Sequence, residues 1–139
     1  MNPQTPLQDI ARAGPYRLPP GQETGLLASA AGLGLQHLIY RPEGSPDTRA
    51  WLTGLGQTLG FPAHFGANFD ALYDCLTDPD ILSQPGLLLV LGNLTPLGEA
   101  VDILIAIFQA ASDEWRDQER PLWVLFDAPD LDLDPLPKA

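Results

Sequence analysis

The chain has 139 residues, 45% of them hydrophobic, which suits one globular domain and excludes a wholly disordered chain. Its net charge is −11 and its pI about 4.2, the wrong sign for a protein that grips nucleic-acid phosphates and a suitable one for capturing a basic partner. A single cysteine, Cys75, excludes an internal disulfide.

The N-terminal stretch MNPQTPLQDIARAGPYRLPPG has no basic start followed by an apolar core, so it does not read as a signal peptide. Apolar runs such as Leu87 to Leu91 are far too short to span a bilayer. A soluble, cytoplasmic protein without membrane contact is expected, and a free thiol agrees with that compartment.

Residues 1 to about 14 are expected to be poorly ordered, because Pro3 and Pro6 prevent a clean helix and termini fray. Pro15 to Leu18 reads as a short edge strand, closed by Pro19-Pro20-Gly21. Glu23 to Gly32 is rich in Ala and Leu and reads as a helix, weakened by Gly25 and stopped by Gly32 and Gly34. Leu35 to Tyr40 is a strand and Pro42 to Pro46 a loop. Asp47 or Thr48 then caps a helix running to about Leu59, with Trp51, Leu52, Leu55 and Leu59 inward.

Next comes FPAHFGANFDALYDCLT, Phe61 to Thr77. Pro62 and Gly66 punctuate a short loop, and Asn68 is a good N-cap for the helix that follows. Phe69, Leu72, Cys75 and Leu76 recur at helical spacing and predict a buried face. Asp70, Tyr73, Asp74 and Thr77 form a second stripe at i, i+3, i+4 and i+7, with Asp70, Tyr73 and Asp74 expected in solvent. Two carboxylates one turn apart repel by a few tenths of a kcal/mol. The helix dipole offsets some of this for Asp70 and less for Asp74. A fold gains little from this pair, whereas a cationic partner gains a good deal.

A loop marked by Pro79 and Pro85 holds Asp78, Asp80 and Ser83. Leu87 to Leu91, LLLVL, is apolar at every position, as in a strand buried on both faces of a parallel sheet. With Thr95 as N-cap and Pro96 at the first helical position, a long helix is expected to about Gln118, burying Val101, Leu104, Ile105 and Phe108. Pro121 to Phe126 is the last strand, and the acidic, Pro-rich tail DAPDLDLDPLPKA is expected to be mobile. Strands alternating with helices imply an α/β fold with a small parallel sheet.

Chemistry is sparse. His37 falls in a strand and is read as structural, whereas His64 lies in the loop before the acidic helix and is a candidate contact. Two separate histidines and one cysteine make no zinc site, so no metal or other cofactor is expected. Asp130, Asp132 and Asp134 alternate as in a calcium loop, but Pro135 stands where that loop needs glycine and no glutamate closes it. Cys75, on the apolar face of its helix, reads as a small buried hydrophobe. No nucleophile elbow, P-loop or dinucleotide turn is present. Asp70 and Asp74 lack the apolar pocket that would split their pKa values for acid–base work, so the chain is not read as an enzyme.

The run FGANFDALYDCLT closely resembles the barstar family, intracellular inhibitors of barnase-type ribonucleases, at Phe65, Gly66, Asn68, Asp70, Ala71, Leu72, Asp74, Cys75, Leu76 and Thr77. The likeness extends more loosely from about Leu35 to Phe126. It implies a barstar-like sheet of about three strands packed with helices, to which Pro15 to Leu18 would add an N-terminal edge strand. The chain then divides into a partly ordered extension over 1–34, a barstar-like domain over 35–127 and an acidic mobile tail over 128–139.

The mechanism that the resemblance implies is substrate mimicry. Carboxylates on the helix occupy the places of RNA phosphates and plug the active site of a basic, extracellular-type ribonuclease, as befits an immunity or antitoxin-like protein, monomeric when free. The residues carried over to that contact are His64, Phe65, Gly66, Asn68, Asp70, Tyr73, Asp74 and Thr77. His64 stands where the family has tyrosine, and Tyr73 where it has tryptophan. Asp78 and Pro79 replace a glycine and a tryptophan. Ala110 falls where the family carries a further interface glutamate, with Asp113 and Glu114 one turn on. These departures leave a ribonuclease as the expected target without singling out barnase. The alternative is an interaction module of the same fold that docks some other basic protein.

Overall fold

The computed structural model of the chain describes residues 5–44 and 46–137. A four-stranded parallel sheet organises them. Its strands are β1 (Pro15–Arg17), β2 (Gln36–Tyr40), β3 (Leu87–Leu91) and β4 (Leu122–Phe126), in the order β1-β4-β3-β2. The connections and flanks supply α1 (Thr5–Gln8), α2 (Glu23–Gly32), α3 (Thr48–Leu59), α4 (Phe69–Leu76) and α5 (Val101–Asp117). The N-terminal edge strand anticipated from Pro15 to Leu18 is present over Pro15–Arg17, and the fold is α/β with a small parallel sheet, as expected.

Every residue of β3 and β4 is buried, because both faces of the central strands are covered. Leu87, Leu89, Leu91, Leu122, Val124 and Phe126 pack under residues of α3, α4 and α5. Leu88, Val90, Trp123 and Leu125 point the other way, against Leu7 of α1, Leu26 and Ala30 of α2, and Leu136. Full burial of each such side chain is worth about 1.5–3 kcal/mol, so two layers on one sheet account for the unbroken apolar runs.

Local chemistry sets the helix ends. Asp47 accepts from the Ala50 amide at 2.8 Å, and Gly60, with φ 77°, ends α3 in the left-handed region. Trp51, Leu52, Leu55 and Leu59 are all buried, as their spacing required. Gly54 is needed by its neighbour. A Cβ there would lie 2.2 Å from the Tyr40 hydroxyl, which donates to the Trp51 carbonyl at 2.7 Å.

Three expectations need correction. Residues 5–14 are not loose: α1 seats Leu7 at 2% exposure, a 3-10 turn spans Ile10–Arg12, and the Asp9 side chain caps it by accepting from the Ala11 amide at 3.2 Å. Residues 1–4 lie outside those described. The acidic tail is held as well: Leu131 and Leu133 pack on one core and Leu136 enters the other. Finally, Thr95 is not a cap. A 3-10 stretch, Thr95–Ala100, precedes α5, and Gly98 (φ 51°, ψ −131°) breaks the helix that the sequence suggested was continuous. In α5, Leu104 and Phe108 are buried, Val101 and Ile105 only half so, and Ala111 and Trp115 continue the stripe. No helix among the described residues is long and apolar enough to cross a membrane.

Candidate functional site

The acidic stripe sits on α4, and the chain spends several unusual contacts on fixing that short helix. At its N-terminus the Asn68 side-chain Oδ1 accepts from the Ala71 backbone amide at 2.8 Å. Gly66 leaves room for this, since a Cβ there would stand 3.1 Å from the Asn68 amide nitrogen. Ala67, between them, is buried with φ 51°, a left-handed conformation that costs an L-residue about 1–2 kcal/mol. The loop before it rests on α3: Phe65 lies over Gly56, where a Cβ would come within 2.6 Å of the ring, and meets Phe61 edge-on at 5.0 Å between centroids.

The other end of α4 is pinned from far away in sequence. The Trp115 indole N–H donates to the Leu76 carbonyl at 2.8 Å, in a buried setting. Arg120 lies over the Trp115 ring, 3.9 Å from its centroid, and donates to the carbonyls of Leu82 at 2.5 Å and Gln84 at 2.8 Å. Desolvation there lowers the Arg120 pKa. The loop after α4 is thereby held to α5.

On this fixed helix Asp70 and Asp74 are exposed, and among the described residues neither carboxylate has a hydrogen-bond or ion-pair partner. Four residues at about 1.5 Å rise set their backbones roughly 6 Å apart. Tyr73 and Thr77 are half-buried beside them, and the Thr77 hydroxyl is turned inward, donating to the Tyr73 carbonyl at 2.9 Å. His64 is exposed, and Phe65 and Gly66 are half-buried. Leu72, Cys75 and Leu76 are buried as the spacing predicts, while Phe69, at the first turn, is only half covered. Burial first, then the neighbouring Asp74 and Asp78 carboxylates, push the Cys75 thiol pKa up, away from thiolate chemistry. Asp78 accepts from the Asp80 amide at 2.9 Å and so shapes the turn after the helix. His37 takes no part here, and it is exposed on edge strand β2 rather than packed in the core.

A family model described as Barstar (barnase inhibitor) matches residues 39–127. The chain belongs to the barstar family. Its members are inhibitors, not enzymes. A Bacillus subtilis (strain 168) protein named "Putative ribonuclease inhibitor YrdF" is 40% identical over 68 residues, which cover 46% of this chain and 71% of that protein. Together these matches support a ribonuclease-inhibitor role.

The barstar match begins inside β2 and ends just after β4, so it takes in α3, α4 and α5 and leaves out α1, β1, α2 and the tail. Ala110, where the resemblance leads one to expect a further interface glutamate, is exposed on α5. Of the two acids one turn on, Asp113 is engaged within the chain, paired with Arg116 and accepting from Gln109 at 3.1 Å. Glu114 is exposed and unpaired among the described residues. The supports under the site, Gly56, Trp115 and Arg120, escape sequence reasoning. A glycine inside an otherwise good helix is the one available signal, for Gly56. Among the described residues no group of three His, Cys, Asp or Glu side chains is placed to hold a metal ion.

Proposed function

We propose that this protein inhibits a basic ribonuclease of the barnase type by seating α4 and its preceding loop in the enzyme's active site. The supporting observation is the pair Asp70 and Asp74, exposed one turn apart and, among the described residues, without a cation of their own on a helix fixed at both ends. A ribonuclease site gathers cationic side chains to hold phosphates. Carboxylates that arrive already oriented form charge-assisted hydrogen bonds to such groups, bidentate where the cation is arginine. Little side-chain or helix order then remains to be lost on binding.

His64, Phe65, Gly66 and Tyr73 form the rim in this reading, with the aromatic rings excluding water from the charged contact. Asn68 and Thr77 contribute by holding the helix rather than by touching the enzyme, because both side chains already bond to the backbone. The free protein acts as a cytoplasmic monomer, and its net charge of −11 draws the basic enzyme in. The test is to titrate the protein into a barnase-type ribonuclease and follow RNA cleavage at several salt concentrations. Stoichiometric loss of cleavage is expected. The association rate should fall steeply past about 0.1 M salt, where the screening length is about 10 Å, and the dissociation rate should change less. Undiminished cleavage at excess inhibitor overturns the proposal, and an association rate indifferent to salt removes the steering.

A further inference from the structure

Strand β1 pairs with β4 on one side only, and the chain's own C-terminal segment closes the other. Gly14 and Leu18 bond to β4, through Val124 N–H to Gly14 O at 3.1 Å and Leu18 N–H to Phe126 O at 2.9 Å, so Pro15 and Arg17 face outward. Pro15 has no N–H to offer. Arg17 donates its amide to Asp134 O at 2.8 Å and accepts from the Leu136 amide at 3.1 Å, while its side chain donates to Leu133 O at 3.2 Å.

The segment Leu131-Asp-Leu-Asp-Pro-Leu136 bends at Asp132 and Leu133 and then runs alongside β1, bridging to Arg17 at Pro135; its leucines turn inward and its aspartates outward, with Leu136 at 5% exposure. Charge matches as well. Arg12, Arg17 and Arg116 lie on this side, and the charges acting on the Tyr16 hydroxyl beside it are those of Arg12, Arg116, Asp134 and Asp9. The attachment is nonetheless local: two main-chain hydrogen bonds, the Arg17 side-chain bond to Leu133 O, Leu136 as the one fully buried anchor, and Leu131 and Leu133 half-buried against the other core, so this irregular segment opens more readily than the central strands.

We propose that the outer edge of β1 is a strand-addition seat for an extended acidic segment of the pattern Leu-x-Leu-x-Pro-Leu, held in this chain by its own residues 131–136 and open to the same segment of a second copy when that strap lifts. Main-chain bonds to Arg17 supply the pairing, and the pocket for Leu136 in the core under Leu88, Val90, Trp123 and Leu125 supplies the selectivity. The seat does not depend on α4, so it stands or falls independently of ribonuclease inhibition.

The test uses the full-length chain carrying Leu136→Asp, with a synthetic peptide of residues 128–139 as the probe. Hydrogen exchange at the Arg17 amide is expected to quicken at least tenfold in the variant. The peptide should bind and restore the protection, whereas the same peptide with Leu136→Asp should do neither. The unaltered protein, its seat already filled, should take the peptide at least tenfold more weakly. Slow Arg17 exchange in the variant, or a peptide that leaves exchange fast, overturns the proposal. If Leu136→Asp does not fold, Leu136→Ala is read in the same way. If that variant also lacks a folded core, the segment is part of the body and the idea of a removable strap fails.

Discussion

The two layers on this sheet are built on different principles. The layer of α3, α4 and α5 is tied by polar contacts between separate elements, buried from Tyr40 to the Trp51 carbonyl and from the Trp115 indole to the Leu76 carbonyl, and part-buried from the Trp51 indole to the Asn93 carbonyl at 2.8 Å. The opposite layer, of α1, α2 and Leu136, covers the sheet with aliphatic side chains. The Trp123 indole N–H on that side is buried and finds no acceptor among the described residues. Covering an apolar sheet face needs only area, which is non-directional. Holding a helix so that its carboxylates stand ready for a partner needs direction, and hydrogen bonds supply it. The family match follows the same division, since it contains the tied layer and omits α1, α2 and Leu136.

Asp74→Ala sets function against fold within the tied layer and should have the largest effect. In the proposed complex, removing this carboxylate leaves a desolvated cation of the ribonuclease unpaired, an expected loss of about 2–5 kcal/mol, a magnitude for which the barnase–barstar complex of this same family is itself a source. That is roughly thirtyfold to several thousandfold in affinity. Stability should hold or rise slightly, because repulsion from Asp70 is relieved and alanine is the better helix former. Paired inhibition and thermal-unfolding measurements check this. Unfolding by several kcal/mol would make Asp74 a structural residue instead.

Two of the three buried tryptophans, Trp115 and Trp123, compare the layers directly. Trp115→Phe strands the Leu76 carbonyl and loses the ring under Arg120, so it should cost about 2–4 kcal/mol in chemical denaturation and weaken inhibition as α4 loosens. Trp123→Phe removes a buried donor that has no partner, which offsets part of the lost volume, so about 0–1.5 kcal/mol is expected and inhibition should stay intact. Equal costs would erase the distinction between the layers. Asn68→Ala comes next, at about 1 kcal/mol for the lost cap, with a comparably modest loss of affinity from fraying of the first turn that carries Asp70.

What the sequence made legible follows the same division by range. Strands β3 and β4, the α3 face and the Asn68 cap all have local signatures: apolar runs, 3.6-residue spacing, a capping side chain. The ties from Trp115 to Leu76 and from Arg120 to Leu82 join residues 39 and 38 apart and leave no local trace. The tail is instructive because its signal was present. LDLDPL carries three leucines that all turn inward, but acidic composition and Pro135 argued for mobility, and the sheet edge that receives it is more than a hundred residues away. At Gly98 the backbone conformation decided against a continuous helix, although Pro96 looked like a good start.

Ala67→Gly is the smallest expected change and asks whether the strain before α4 matters. Glycine adopts φ near 51° without penalty, which returns about 1–2 kcal/mol. Against this stand a buried methyl worth about 0.8 kcal/mol and about 0.4–1 kcal/mol from the greater freedom of the unfolded chain. The terms nearly cancel, so the melting temperature should move by only a few degrees in either direction. Binding can respond where stability does not. Ala67 confines the backbone between Phe65, seated on α3, and the Asn68 cap, and glycine widens the conformations open to the free loop. Affinity for a barnase-type ribonuclease should therefore fall by less than tenfold, mainly through the ordering lost on association. Ala67→Val is the counter-test. A β-branched residue at positive φ should destabilise the chain by more than the alanine strain alone, and it should cost stability before it costs affinity. If glycine leaves both unchanged while valine lowers both together, the loop's conformation matters only to the fold, and preorganisation of the site rests on the cap and the Trp115 tie.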